Sequence, residues 1–221
     1  MELVGTSTVV DAAAETLREQ LLGGAFAPGQ VLRDTTLAEQ FGIARPTLRA
    51  AVQALVADGL LVRSRGRSAR VPEFSSADIA DLYEARTVVE VAAVDRIERS
   101  PSLLRLVHDA MWAFETADAN SWRAVVDADV AFHRSIVQAG GSPRLLAMFD
   151  TLATETRLAI ALQRSLYEDA EELVREHHSI VNALKRHRFD AARKKLSAHF
   201  DTTIEAMHKP ATPTSATRRS S

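Results

Sequence analysis

Apolar residues recur at intervals of three and four over most of the chain, the spacing of one buried face on a helix. Val10, Ala14, Leu17 and Leu21 mark a first helix over about 8–23, ended by Gly23-Gly24. AFAPGQVL reads as a turn followed by a short extended piece. A short helix from Thr35 to Phe41 is broken by Gly42. Another runs from Pro46 to about Asp58, with Leu48, Val52 and Leu55 on one face and Gly59 as its stop. In LLVRSRGRSARV the period changes. Two β-prone stretches flank Arg65-Gly66-Arg67, a hairpin signal. Pro72 to Ser76 reads as a linker. Beyond it the helical period returns, with helices expected near 76–99, 101–118, 120–139, 143–166, 169–186 and 189–208. Breaks fall at Ser100-Pro101, at Gly140-Gly141-Ser142-Pro143 and near Arg188. The tail KPATPTSATRRSS lacks periodic apolar residues and is expected to be disordered over 209–221.

This pattern predicts a mainly α chain with two parts. Residues 1–72 form a winged helix-turn-helix with a small β wing, and residues 76–208 form an all-helical bundle. The 221 residues are 46% hydrophobic, enough for buried cores, and contain no cysteine. Disulfides and thiolate metal sites are therefore excluded, and any metal must be held by His, Asp or Glu. No apolar run approaches the ~18 residues of a membrane span. The first twenty residues lack the basic start and apolar stretch of a signal peptide. The expectation is a soluble, cytoplasmic protein with no membrane partner.

Net charge is only −2, but its distribution is uneven. Residues 43–72 hold six arginines (45, 49, 63, 65, 67 and 70) against one acid, Asp58, while residues 73–221 carry 19 basic and 22 acidic groups. The basic segment coincides with TTLAEQFGIARPTLRAAVQALVADGLLV, which has helix-turn-helix form. Its second helix should enter a major groove N-terminus first. Arg45, Arg49 and Gln53 lie four apart, on a face distinct from the apolar one. A guanidinium fork matches the two acceptors on a guanine edge. Thr47 and the helix N-terminal amides suit a phosphate. The hairpin at Arg65, Gly66 and Arg67 suits a wing along the minor groove or backbone. An ordinary helical hairpin with solvated arginines is the bland alternative; the basic, glycine-tipped hairpin directly after it favours DNA. One such module covers too few base pairs for useful specificity, so a homodimer on a palindromic operator is expected.

The APGQVL turn, the run LAEQFGIARPTLRAAVQALVADGLL and the RGR wing resemble the GntR family of bacterial regulators. Members usually carry a Ser-Arg-Thr-Pro-Val-Arg-like run at the start of the recognition helix. Here it is Ala44-Arg45-Pro46-Thr47-Leu48-Arg49, with both arginines kept and Ala44 in place of a hydroxyl residue. Thr35 sits where some relatives have a DNA-contacting arginine. After the linker, DIADLYEARTVVEVAA, ADVAFHRSIVQAGGSPRL and EHHSIVNALKRHRFDAARKKLSAHF resemble the FCD effector domain of the FadR-like branch.

Those segments hold a candidate divalent metal site. Asp129 and His133 are four apart and share a helix face. His177 and His199 straddle residue 188 symmetrically. If the last two helices are antiparallel, both histidines lie level, about 16 Å from the turn. Four N/O ligands from three helices suit zinc, nickel or manganese. His178 faces about 100° away from His177 and is expected to be exposed; His108, His187 and His208 read as surface residues. The resemblance implies a metal at the floor of a ligand pocket whose effectors are often small carboxylates. Arg86 either faces that pocket or pairs with Glu90 as a surface bridge. The function expected is a ligand-responsive transcription regulator, a repressor controlled by a small organic acid. The rivals are a metal-dependent hydrolase, a dedicated metal sensor, and a regulator whose metal is purely structural.

Overall fold

A computed structural model of the chain describes residues 8–118, 121–162 and 170–208. The expectation for the 209–221 tail lies outside these residues.

The N-terminal unit is built on three helices: α1 (Val9–Leu22), α2 (Asp34–Phe41) and α3 (Arg45–Ala57). A reciprocal cap opens α1. The Thr8 hydroxyl accepts from the Asp11 amide, and the Asp11 carboxylate accepts from the Thr8 amide, satisfying two otherwise orphaned donors. Leu17 and Leu21 of α1 bury against Leu48, Val52 and Leu55 of α3. The sharp turn from α2 to α3 is made at Gly42, whose φ of +63° strains any residue with a side chain. No side chain caps α3 at Ala44, but Pro46 in the first turn fixes a helical φ.

The wing differs from a simple hairpin. Strand β2 (Ala69–Arg70) pairs antiparallel with β1 (Val31–Leu32), Val31 lying opposite Arg70. The near arm contributes only the bridge Val62–Arg70. The extended piece before α2 therefore serves as the main partner of the wing.

The helical unit begins at α4 (Ser76–Arg99), capped reciprocally by Ser75 and Asp78. Helices α5 (Leu104–Glu115), α6 (Trp122–Ala139), α7 (Pro143–Leu162), α8 (Ala170–Lys185) and α9 (Phe189–His208) follow. The helix expected from 101 starts instead as a 3-10 turn, Pro101–Leu103, because Ser100 before the proline is driven out of helical geometry. It also ends early, at Glu115. Helix α7 is described to Leu162, so the expected stretch 163–166 lies outside the described residues. The core of this unit is drawn from α4 to α9 and includes Ile79, Ile97, Val130, Phe132, Ile136, Phe149, Ile180, Leu196 and Phe200.

The two units touch. Leu158 and Ala161 of α7 are buried in the N-terminal core. Beside them runs a chain of ion pairs. Arg123 of α6 reaches Glu15 at 3.0 Å and Glu19 at 3.2 Å on α1, and Asp127 at 3.4 Å. Arg157 of α7 closes on Asp127 at 3.1 Å. Arg18 joins Glu15 to Asp58, the C-cap of α3, at 2.6 Å.

The C-terminal end of α6 approaches α4 closely at Gly140. A Cβ added at Gly140 would lie 3.0 Å from both the Cα and the carbonyl oxygen of Ala93. Backbone cannot move aside as a flexible side chain can. Gly140→Ala is expected to destabilise the helical unit by about 1–3 kcal/mol, read as a lowered denaturant midpoint, whereas the same change at exposed Gly66 leaves the helical unit's own unfolding unchanged.

Candidate metal centre and nucleic-acid interface

Helices α6, α8 and α9 each deliver side chains to one buried point. Asp129 and His133 come from α6, His177 from α8 and His199 from α9, and one ligand atom from each lies within 4.8 Å of all the others. The symmetry of 177 and 199 about the turn does bring them level, with ring centroids 4.6 Å apart. His177 Nε2 sits 3.1 Å from Asp129 Oδ1 and 3.2 Å from His133 Nε2. Adjacent ligands about 2.1 Å from one ion have separations of this size.

The orientation of the rings comes from a set of outer partners. His133 Nδ1 is 2.7 Å from Glu90 Oε2, His177 Nδ1 2.7 Å from the Leu173 carbonyl, and His199 Nδ1 2.7 Å from Glu176 Oε2. A carbonyl only accepts, so His177 donates from Nδ1; carboxylate partners assign the same tautomer to His133 and His199. Three Nε2 lone pairs and a carboxylate then face one another in a buried space. Four acceptors at such range repel unless a cation lies among them, either a metal ion or an added proton on an imidazole. The donor set is that of a divalent metal site, and the outer partners are those that orient ligating histidines.

The electrostatics favour the ligating forms. Burial pushes His133 well below the usual imidazole range, reinforced by the charge of Arg86. Burial likewise lowers His199, with Glu176 opposing it. Both rings therefore stay neutral. Burial alone would raise the Asp129 carboxyl, but the contact with His177 and the neighbouring rings and Arg86 outweigh it and hold it ionised. Glu90 is pushed up to about 7 by burial, against the pull of Arg86.

Arg86 pairs with Glu90 at 3.0 Å, one turn apart, but the pair is buried rather than on the surface. Its guanidinium lies against the faces of Tyr83, Phe149 and Phe200. Arg86 is 1% exposed, and its Nη2, although close to Glu90, makes no well-directed hydrogen bond. His178 is half-exposed and pairs with Glu115 at 2.7 Å, outside the cluster. His108 is exposed, and His187 forms the turn between α8 and α9 with a φ of 54°.

Two members of the site were missed in the sequence. Glu176 and His199 also straddle the α8–α9 turn, so the symmetry that related the histidines pointed to this acid too. Glu90, with Arg86, falls on the buried stripe of α4 that includes Ile79, Tyr83, Ala93 and Ile97; two charges in an apolar stripe were the available signal.

On the N-terminal unit, Arg45, Arg49 and Gln53 are all exposed along one side of α3, with Thr47 half-buried in the first turn. Arg49 touches Asp34 only loosely, at 3.8 Å, and stays 68% exposed. Arg63, by contrast, is half-buried and held by Asp34 at 3.1 Å, tying the wing to α2. Arg65, Gly66 and Arg67 form the exposed wing tip, where Gly66 has a φ of +74°.

Comparison with known proteins follows this division. Residues 9–71 match the bacterial regulatory proteins of the gntR family, and residues 81–202 match the FCD domain. A gluconate operon transcriptional repressor of Bacillus licheniformis is 26% identical over 206 residues, covering 88% of this chain and 83% of its own. The HTH-type transcriptional repressor NanR of Enterobacter sp. (strain 638) is 26% identical, covering 90% and 85%. The crystal structure of a transcriptional regulator GntR from Rhodococcus sp. RHA1 superposes with a TM-score of 0.73 at 26% identity, covering 90% of this chain and 96% of that one. These relatives are regulators rather than enzymes. Among the described residues no helix is long and apolar enough to cross a membrane. The chain belongs to the GntR family of transcription regulators, in the branch that carries a C-terminal FCD domain.

Proposed function

We propose that this regulator is a repressor that binds a palindromic operator as a homodimer, and that a small organic acid bound beside a divalent metal changes its operator affinity. The observation that carries the reading is the buried set of four converging acceptors, Asp129, His133, His177 and His199, with every imidazole locked by an outer partner. A divalent ion held there would supply a positive charge with coordination positions to spare for an anionic ligand atom. Arg86 has a buried guanidinium with one poorly satisfied nitrogen, a suitable partner for a second oxygen of the acid. The relatives named for a gluconate operon have an organic acid in their names, which supports this ligand class.

Two helices tie the site to DNA binding. Helix α4 carries Arg86 and Glu90 and begins directly after the linker. Helix α6 carries Asp129 and His133 and, nearer its start, the Arg123 that grips α1. Ligand-driven movement of either helix shifts the N-terminal unit and so the spacing of two recognition helices.

With an operator selected from a random-sequence library, Arg45→Ala and Arg49→Ala are each expected to cost about 1–3 kcal/mol of binding and to relax specificity at one position. Arg67→Ala should weaken all sequences alike. Unchanged affinity in both recognition-helix variants would overturn the interface. Native mass spectrometry of purified protein is expected to show about one divalent ion per chain, zinc, nickel or manganese, by the coordination argument. His177→Ala should lose it and His178→Ala should keep it; equal loss in the two would remove the metal assignment. A panel of hydroxy acids, sugar acids and dicarboxylates should include one that raises the melting temperature and shifts operator affinity only with metal present. A response to an uncharged compound that survives chelation would overturn the ligand class.

A further inference from the structure

Asp34 opens α2 and faces two arginines at once. Its Oδ1 accepts from Arg63 Nη2 at 3.1 Å, and its Oδ2 lies 3.8 Å from Arg49 Nε. One carboxylate thus links three elements: α2, the arm leading into the wing, and α3.

The two contacts differ in kind. Arg63 is mostly buried, and among the described residues its Nε has no hydrogen-bond partner. The charge of Asp34 compensates that guanidinium, so the carboxylate is itself held in place. Arg49 is the open partner. At 3.8 Å the carboxylate restrains its side chain without a hydrogen bond. The nearest nitrogen is Nε, which leaves the terminal Nη1 and Nη2 available to fork onto a base edge.

An exposed arginine keeps much of its rotamer freedom, and it can settle on phosphates of any sequence as well as on a base. The side chains expected to meet DNA here are basic: Arg45 and Arg49 on α3, Arg65 and Arg67 at the wing tip. Asp34 sets one negative charge beside them. A carboxylate in that place repels phosphates whatever the sequence. The repulsion is offset only when Arg49 meets its base, and an element that penalises every other arrangement is a source of specificity.

We propose that Asp34 is a positioning residue for sequence reading. Anchored by Arg63, it aims Arg49 at one base pair, lowering affinity for DNA in general and raising discrimination at that pair. The assignment rests on the recognition-helix reading above and adds a residue that touches no base itself.

The test measures binding of the full-length protein to its selected operator, to operators changed at single positions, and to a random-sequence duplex. Asp34→Asn is expected to bind the random duplex about two- to threefold more tightly, the size of one partly screened charge near phosphates. It should also lose about tenfold in discrimination at the position that Arg49→Ala relaxes. On an Arg49→Ala background the same change should leave discrimination unaltered. Asp34→Ser, also neutral, should repeat the pattern, and Asp34→Glu, which keeps the charge, should hold discrimination near that of the wild type. A merely structural role for Asp34 predicts the opposite sign: a lower melting temperature with operator and random duplex weakened in parallel. That result, or a loss of discrimination that persists on the Arg49→Ala background, would overturn the proposal. If Arg49→Ala relaxes one position while Asp34→Asn and Asp34→Ser discriminate as the wild type does, the role of Asp34 falls and the recognition helix stands. If Arg49→Ala changes nothing, both fall.

Discussion

Four acceptors held face to face in a buried space are an unfavourable arrangement on their own. Asp129 with His133, His177 and His199 bring together a carboxylate and three imidazole nitrogens from three helices. Nothing in the rings forces their lone pairs inward. The Leu173 carbonyl, Glu90 and Glu176 do so by occupying each Nδ1. A positive charge placed among the four would relieve that repulsion. The aromatic rings of Phe114, Phe132 and Phe200 close against the imidazoles, removing the water that would otherwise satisfy them. A cation bound there would join α6, α8 and α9 at a single point, and its binding energy would become cohesion of the bundle.

Glu90 and Arg86 extend that logic outward. Removing water from a carboxylate and a guanidinium is costly, and a buried pair offsets this only when further contacts satisfy both groups. Glu90 is shared between Arg86 and His133. Arg86 leans on three aromatic faces but leaves one nitrogen poorly satisfied. A core selected for stability alone would place apolar residues here. The pair nevertheless lies on the buried stripe of α4, beside the cluster.

Much of this was legible in the sequence because helical periodicity is a local signal. Helix α4 was read to both of its ends, 76–99, with Ser100-Pro101 as its stop. The level placement of His177 and His199 followed from counting residues about a turn. What escaped was non-local. The main partner of β2 is β1, nearly forty residues upstream, and pairing at that distance leaves no mark on a hairpin's own pattern. Arg123 meets Glu15 across 108 positions, with only charge to suggest it. Glu90 was missed as a partner of His133 because an i,i+4 pair on α4 reads equally well as a solvated bridge.

The ion-pair chain from Asp58 through Arg18, Glu15 and Arg123 to Asp127 and Arg157 joins the end of α3 to α6 and α7 through half-exposed charges. Such pairs are individually weak and are screened by dissolved ions. DNA binding is also weakened by salt, through release of counterions from phosphates. In this protein the two effects act on one measured quantity. As ionic strength rises, the phosphate contacts weaken, and the ion pairs that join α1 and the end of α3 to the helical unit weaken as well. The slope of DNA affinity against salt in this protein therefore mixes two contributions, the phosphates touched and the ionic seam between its two units.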